Sequence, residues 1–170
     1  MVAGIGEADY GIAFCIANRP PLDDYSRRRC LVPLLPGELH HIVSNSSNHW
    51  RKLFNVYAKF IYSLAPELIV ANSSPPTWQE YRDQQLLQAG SRLALLFTAP
   101  PWKDDALHII AGKGYAATLN IPKLQWLDAH FAIAPAQRVI VSPYLDYRQL
   151  SNERIERLVK IIRQYSLLSF

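Results

Sequence analysis

Two short apolar runs without helical period, near opposite ends of the chain, stop at polar, proline-bearing turns. The first is GIAFCIANRPP at residues 11–21 and the second RVIVSPYLDYRQL at residues 138–150. An α/β sheet presents residues in this way at the carboxyl ends of its strands, the edge where ligands bind. Both turns are therefore expected to contribute to one site.

With 170 residues and 49% hydrophobic content, the chain is long enough to bury a substantial core without disulfide or metal staples. One domain over residues 1–170 is expected. Cys15 and Cys30 form neither a disulfide framework nor a zinc pattern, which fits a reduced, cytoplasmic setting with Cys15 in the core. The start of the chain lacks a basic, long apolar leader, and no apolar stretch approaches the ~20 residues that span a bilayer. A soluble protein with no membrane partner follows. The net charge of +4 leans toward anionic partners such as nucleic acid. Arg27, Arg28 and Arg29 are the one dense basic run, on a connection suited either to clamping phosphates or to keeping a loop solvated.

Residues 12–17 read as a buried strand, and residues 18–45, with Pro20, Pro21, Pro33 and Pro36, as a long irregular connection. Trp50, Leu53, Phe54, Tyr57, Phe60, Ile61 and Leu64 recur at three- and four-residue spacing and predict a helix beginning near residues 44–47. This spacing assigns the aromatics to the core rather than to a stacking platform. A brief strand is expected within residues 67–76, then a second helix opening at Thr77 and closing before Gly90. Residues 93–97 fit either the end of that helix or, preferably, a strand followed by a turn at APPWKDD. Residues 106–111 and 139–141 are further strands, the former turning at Gly112, Lys113 and Gly114 into a short helix at residues 115–119. Ile155, Leu158, Val159, Ile162 and Tyr165 predict a closing amphipathic helix with Ser151 at its N-cap. Strands alternating with helices specify an α/β fold, expected as a three-layer α/β/α sandwich around a short, mainly parallel sheet.

Several chemistries are disfavoured. Gly112-Lys113-Gly114 lacks the spacing and hydroxyl of a P-loop, and no serine sits in a Gly-x-Ser-x-Gly elbow. His40 and His41, taken together with Asp23 and Asp24, offer no second ligand set at metal-binding spacing. No metal or cofactor is expected. His49 reads as a helix-surface residue and His108, inside a strand, as a core histidine.

Four segments, in order, resemble the uracil-DNA glycosylase superfamily, most closely its mismatch-specific uracil/thymine branch. FCIANRP is similar to the family's strand and Asn-Pro turn, SNSSNHWRKLF to the segment with an Asn, an aromatic and a lysine entering a helix. LHIIAGKGYAATL is similar to the strand ending in Gly-Lys, and VIVSPYLDYRQL to the strand leading into the loop that probes the duplex. The resemblance covers most of the chain. It implies DNA as partner, Asn18 as the catalytic asparagine that orients water, and Arg19, Asn48 and Lys113 near the nucleic acid. It likewise implies Ser142, Pro143, Tyr144, Leu145, Tyr147 and Arg148 as the probing loop, with Leu145 or Tyr144 as an apolar wedge. Tyr25 is assigned to base stacking by position.

The chain departs from the family at two turns. Asn18 is followed by Arg19, Pro20 and Pro21 where the family has a glycine after Asn-Pro, and Ser142 replaces an Asn or His. Local readings of the same residues stay open: Asn18 capping a turn, and Asp146 pairing with Arg148 beside a strand end. A divergent glycosylase that recognises or excises a damaged or mismatched base is the first functional expectation. A non-catalytic relative that binds nucleic acid or a protein is the second, and a hydrolase of free nucleosides the third.

Overall fold

In the computed structural model, which describes residues 1–64, 75–102 and 105–168, the apolar runs assemble into one mixed sheet. Its strands are β1 (Gly4–Gly6), β2 (Ile12–Cys15), β3 (Leu31–Val32), β4 (Leu93–Leu96), β5 (Leu107–Ala111), β6 (Gln125–Trp126), β7 (Ala132–Ala134) and β8 (Val139–Ser142). The helices are α1 (Asp23–Ser26), α2 (Glu38–Ser44), α3 (Asn48–Leu64), α4 (Trp78–Gln84), α5 (Lys113–Thr118) and α6 (Asn152–Gln164). The α/β class is as expected.

The sheet order is β3-β1-β4-β2-β5-β8-β7-β6. Its centre, β4-β2-β5-β8, is parallel, whereas β1 meets β4 antiparallel and β6 and β7 extend the far side as an antiparallel hairpin. The sheet is thus wider and more mixed than the short, mainly parallel one expected. The added strands were hidden by length: each has two or three residues and carries little periodicity.

Every residue of the four parallel strands is buried, as strands covered on both faces must be. Alternation sends Ile12, Phe14 and Ile16 into one apolar cluster with α3 and α6, and Ala13 and Cys15 into a second with Ala116 of α5. The α3 stripe falls as its spacing predicts, with Trp50, Leu53, Phe54, Tyr57, Phe60, Ile61 and Leu64 all buried. Phe14 meets the rings of Tyr57 and Phe60 edge-on, at centroid distances of 4.8 and 5.5 Å. The Tyr57 hydroxyl donates to the Ala94 carbonyl at 2.8 Å, tying α3 to β4.

β1 requires glycine. A Cβ on Gly4 would lie 2.1 Å from the Leu95 carbonyl oxygen, and one on Gly6 2.3 Å from that of Leu93. This close approach lets the antiparallel β1 slot between β3 and β4.

Residues 93–96 form a strand, resolving that ambiguity in the preferred direction. Thr77 caps α4, its Oγ1 accepting from the Glu80 N–H at 3.2 Å. Ser151 stands at the N-cap of α6 without a side-chain capping bond. The connection expected to be irregular over residues 18–45 contains α1, β3 and α2. Its order comes from tertiary bonds: the Arg19 guanidinium donates to the carbonyls of Tyr25, Ser26 and Arg28, and the Tyr25 hydroxyl donates to Glu38 at 2.6 Å. The strand expected within residues 67–76 falls largely outside the described residues, as do Lys103 and Asp104 of the turn after β4.

Candidate functional site

Because β2, β5 and β8 are parallel neighbours, the turns after them open on the same edge of the sheet. Asn18 follows β2, Gly112 and Lys113 follow β5, and Pro143 and Tyr144 follow β8. Gly112 has a φ of 100°, a left-handed backbone that favours glycine and turns the strand directly into α5.

The Tyr144 hydroxyl donates to Asn18 Oδ1 at 3.1 Å, joining the first and last of these turns across the sheet. Its oxygen also lies 2.7 Å from Nε2 of His49, at the start of α3. With the phenolic proton committed to Asn18, His49 presents Nε2–H to Tyr144, which makes a chain from imidazole through phenol to amide. Among the described residues the Asn18 amide nitrogen makes no hydrogen bond, which leaves a donor available on an exposed side chain.

Burial pushes the Tyr144 hydroxyl up to about 12 and, against a smaller opposing influence from Asp146, lowers His49 below its ordinary value. Lys52 adds to the lowering of His49. Both groups are accordingly neutral at pH 7, and the chain orients Asn18 rather than supplying a charged base.

Beside Tyr144 lies a cleft of about 500 Å³ lined by Gly112, Lys113, His130, Pro143, Gln149 and Arg154, among others. Its volume falls within the range of small-molecule sites. The His130 side of the cleft is set by Asp128, whose Oδ1 accepts the backbone N–H groups of His130 and Phe131, each at 2.8 Å. Partial burial would raise the Asp128 carboxyl, but those two donors together with Arg157 hold it below the usual range. Arg154 donates to the Gln149 carbonyl at 2.6 Å, joining the start of α6 to the loop after β8. The cleft therefore combines three basic side chains, Lys113, His130 and Arg154, with the polar tips of Tyr144 and Gln149.

The loop after β8 is anchored by Leu145 and Leu150, both fully buried. This corrects the reading of Leu145 as a wedge, since a side chain inside the core cannot enter a duplex. Ser142 is also buried, its hydroxyl turned back to the Pro143 carbonyl at 2.9 Å. Tyr147 points outward at 49% exposure, with Lys52 and Arg148 stacked on its ring. Asp146 accepts the backbone N–H of Arg148 at 2.8 Å, while the Arg148 guanidinium donates to the Tyr147 hydroxyl at 3.2 Å. The expected Asp146–Arg148 pairing is therefore a backbone contact.

Two expected contacts from the first connection are engaged by the protein itself. Tyr25 is buried, bonded to Glu38 and covered by the Arg28 guanidinium, so its ring is closed to a base. Arg19 is committed to three carbonyls and lies over the Phe97 ring, which makes it a structural clamp. Asn48 is exposed at the first residue of α3, next to His49.

Sequence reasoning passed over His130, Gln149 and Arg154, and took His49 for a surface residue. For His49 a signal existed, its place between Asn48 and Trp50 at a helix start. The other three are brought to the cleft by the hairpin (His130), the loop after β8 (Gln149) and α6 (Arg154). His108 is buried with the Tyr10 hydroxyl 2.7 Å from its Nε2, as befits a core histidine. Among the described residues no three His, Cys, Asp or Glu side chains are grouped to hold a metal ion, and no helix is long and apolar enough to cross a membrane.

A family model matches residues 3–163. The chain belongs to this family of unknown function, DUF6942. No curated protein and no solved structure matches it significantly. What a DUF6942 chain does must therefore be read from its own site.

Proposed function

We propose that this DUF6942 chain recognises a base of DNA, as a divergent relative of the uracil-DNA glycosylases, and holds it at the carboxyl edge of β2, β5 and β8. The sheet, with α3 and α6 on one face and α5 on the other, is read as a variant of that family's three-layer sandwich. The observation that carries the proposal is the meeting of Tyr144 and Lys113 on a cleft that also holds His130 and Arg154, with Asn18 tied to that cleft through its hydrogen bond from Tyr144.

An extruded base needs partners for its polar edge and a surface for its ring, and its backbone needs cations. Asn18 offers its amide donor to the edge, Tyr144 a ring at the cleft wall, and Lys113 and Arg154 their charges to phosphate. In an excision reaction Asn18 would orient water toward the sugar carbon. The same amide needs no protonation change to bind a base.

Recognition without excision is the second reading, and two observations favour it. The Asn18 carbonyl is engaged by the Tyr144 hydroxyl, and Arg19, Pro20 and Pro21 follow where a glycine would allow close approach of a base. The test is to incubate protein and Asn18→Ala with labelled duplexes bearing uracil, a G·T or G·U mismatch or hypoxanthine, measuring abasic sites and binding. Base release that disappears in the variant supports excision, and salt-sensitive binding without release supports recognition alone. Neither release nor binding overturns both.

A further inference from the structure

Lys113 lines two adjacent cavities. One is the cleft beside Tyr144, and the other is a depression of about 250 Å³ whose wall includes Asn120, Ile121, Leu124 and Trp126. Trp126 belongs to β6, the two-residue strand at the end of the sheet, and is 44% exposed. Leaving so much of an indole in water forgoes the burial that usually governs where tryptophan sits. Its Nε1–H has no hydrogen-bond partner among the described residues, and the Lys113 Nζ lies 4.9 Å from the ring centroid. A half-exposed aromatic ring carrying a lysine cation is the pairing that single-stranded nucleic acid binds, base on ring and phosphate on charge.

We propose that Trp126 and Lys113 form a second nucleotide subsite, which stacks the base adjacent to the one held in the cleft. This rests on the base-recognition reading above. The strand crosses from one cavity to the other over Lys113, whose flexible stem lets Nζ leave the indole for the intervening phosphate while the base takes its place. Ile121 and Leu124 make much of the depression's lining apolar, and beside the single Asn120 amide it is stacking on the indole, to which every base offers a face, that supplies the binding. The subsite therefore adds affinity for length and is tolerant of sequence. It requires an unpaired neighbour, since a base stacked in a duplex has no free face.

Fluorescence anisotropy with a short labelled oligothymidylate, alongside competition by thymidine monophosphate, tests the assignment in wild type, Trp126→Leu and Trp126→Phe. Trp126→Leu keeps apolar bulk at an exposed edge position, and its thermal midpoint by circular dichroism verifies folding. Loss of one stacked base should weaken oligonucleotide binding about five- to tenfold. The monophosphate should bind Trp126→Leu as it binds wild type, and Trp126→Phe should retain most of the oligonucleotide affinity. Equal oligonucleotide affinity in wild type and Trp126→Leu would overturn the subsite while leaving base recognition standing. If wild type binds neither probe, the subsite falls while base recognition is still decided by the uracil, mismatch and hypoxanthine duplexes, and a change of oligomeric state in Trp126→Leu would assign the indole to a protein contact.

Discussion

On one face of the sheet Phe14 meets Tyr57 and Phe60 beneath α3, and α6 completes the cover with Ile155, Leu158 and Ile162. On the other, Ala13, Cys15, Ala94, Ala132 and Ala134 stand among Leu96, Ile110, Val139 and Val141, covered by the six-residue α5 with its Tyr115 and by Leu119, Ile121 and Leu124. Large side chains bury more apolar area per residue, so the first face carries most of the cohesion. Small ones leave a thin cover, and the depression holding Trp126 opens against it. The protein separates the packing that holds the sheet from the surfaces available to a ligand.

The sharpest way to break this asymmetry is Phe54→Ala, which hollows the thick face beneath α3. It should cost about 3–5 kcal/mol, seen as a lower urea midpoint with an unchanged slope. Truncation by one methylene on the thin face, Ile110→Val, should cost only about 0.5–1.5 kcal/mol in the same experiment. If Ile110→Val cost as much as the matched truncation Ile109→Val on the thick face, cohesion would be shared by the two faces.

At the junction between the thick face and the site, Tyr144→Phe removes the bonds to both Asn18 and His49. Stability should fall by about 1 kcal/mol, and binding of base-containing ligands should weaken several-fold as Asn18 loses its orientation. Unchanged binding in this variant would remove Tyr144 from the site. The smallest expected effect is in pH dependence. His49 has a folded-state value below its ordinary one of about 6.5, so the unfolded chain takes up its proton first. Its contribution to stability is complete above pH 6.5 and is lost as pH falls through the lower folded value. Thermal midpoints between pH 7 and 5 should therefore drop more steeply for wild type than for His49→Gln.

Elements with a strong period were legible in the sequence. α3 buries all seven positions of its predicted stripe, and β5 and β8 are apolar runs closed by turn residues, so periodicity and punctuation both mark them. β1 is Gly-Ile-Gly, a strand held by its neighbours against poor local propensity, and β6 is too short to alternate. The same division runs through the site. Asn18, Lys113 and Tyr144 were visible because each directly follows a readable strand. His49 pairs with a residue 95 positions away, and Arg154 enters from α6, so their roles arise only from packing. Tyr25 and Leu145 misled because they sit in connections, where exposure is the usual expectation, yet each is anchored inward by its own contacts.

The strand order also dictates a sequence of events during synthesis. Among the described residues β2 pairs with β4 and β5 alone, so the segment bearing Ile12 and Phe14 leaves the ribosome ahead of both neighbours, the first of which is residues 93–96. β1 and β3 pair with each other early, but β4 must later enter between β1 and β2. Non-local closure of this kind is slow, and it leaves an apolar strand open to wrong pairing while the chain waits. The nascent protein is thus most vulnerable to aggregation across the span between its second strand and its fourth.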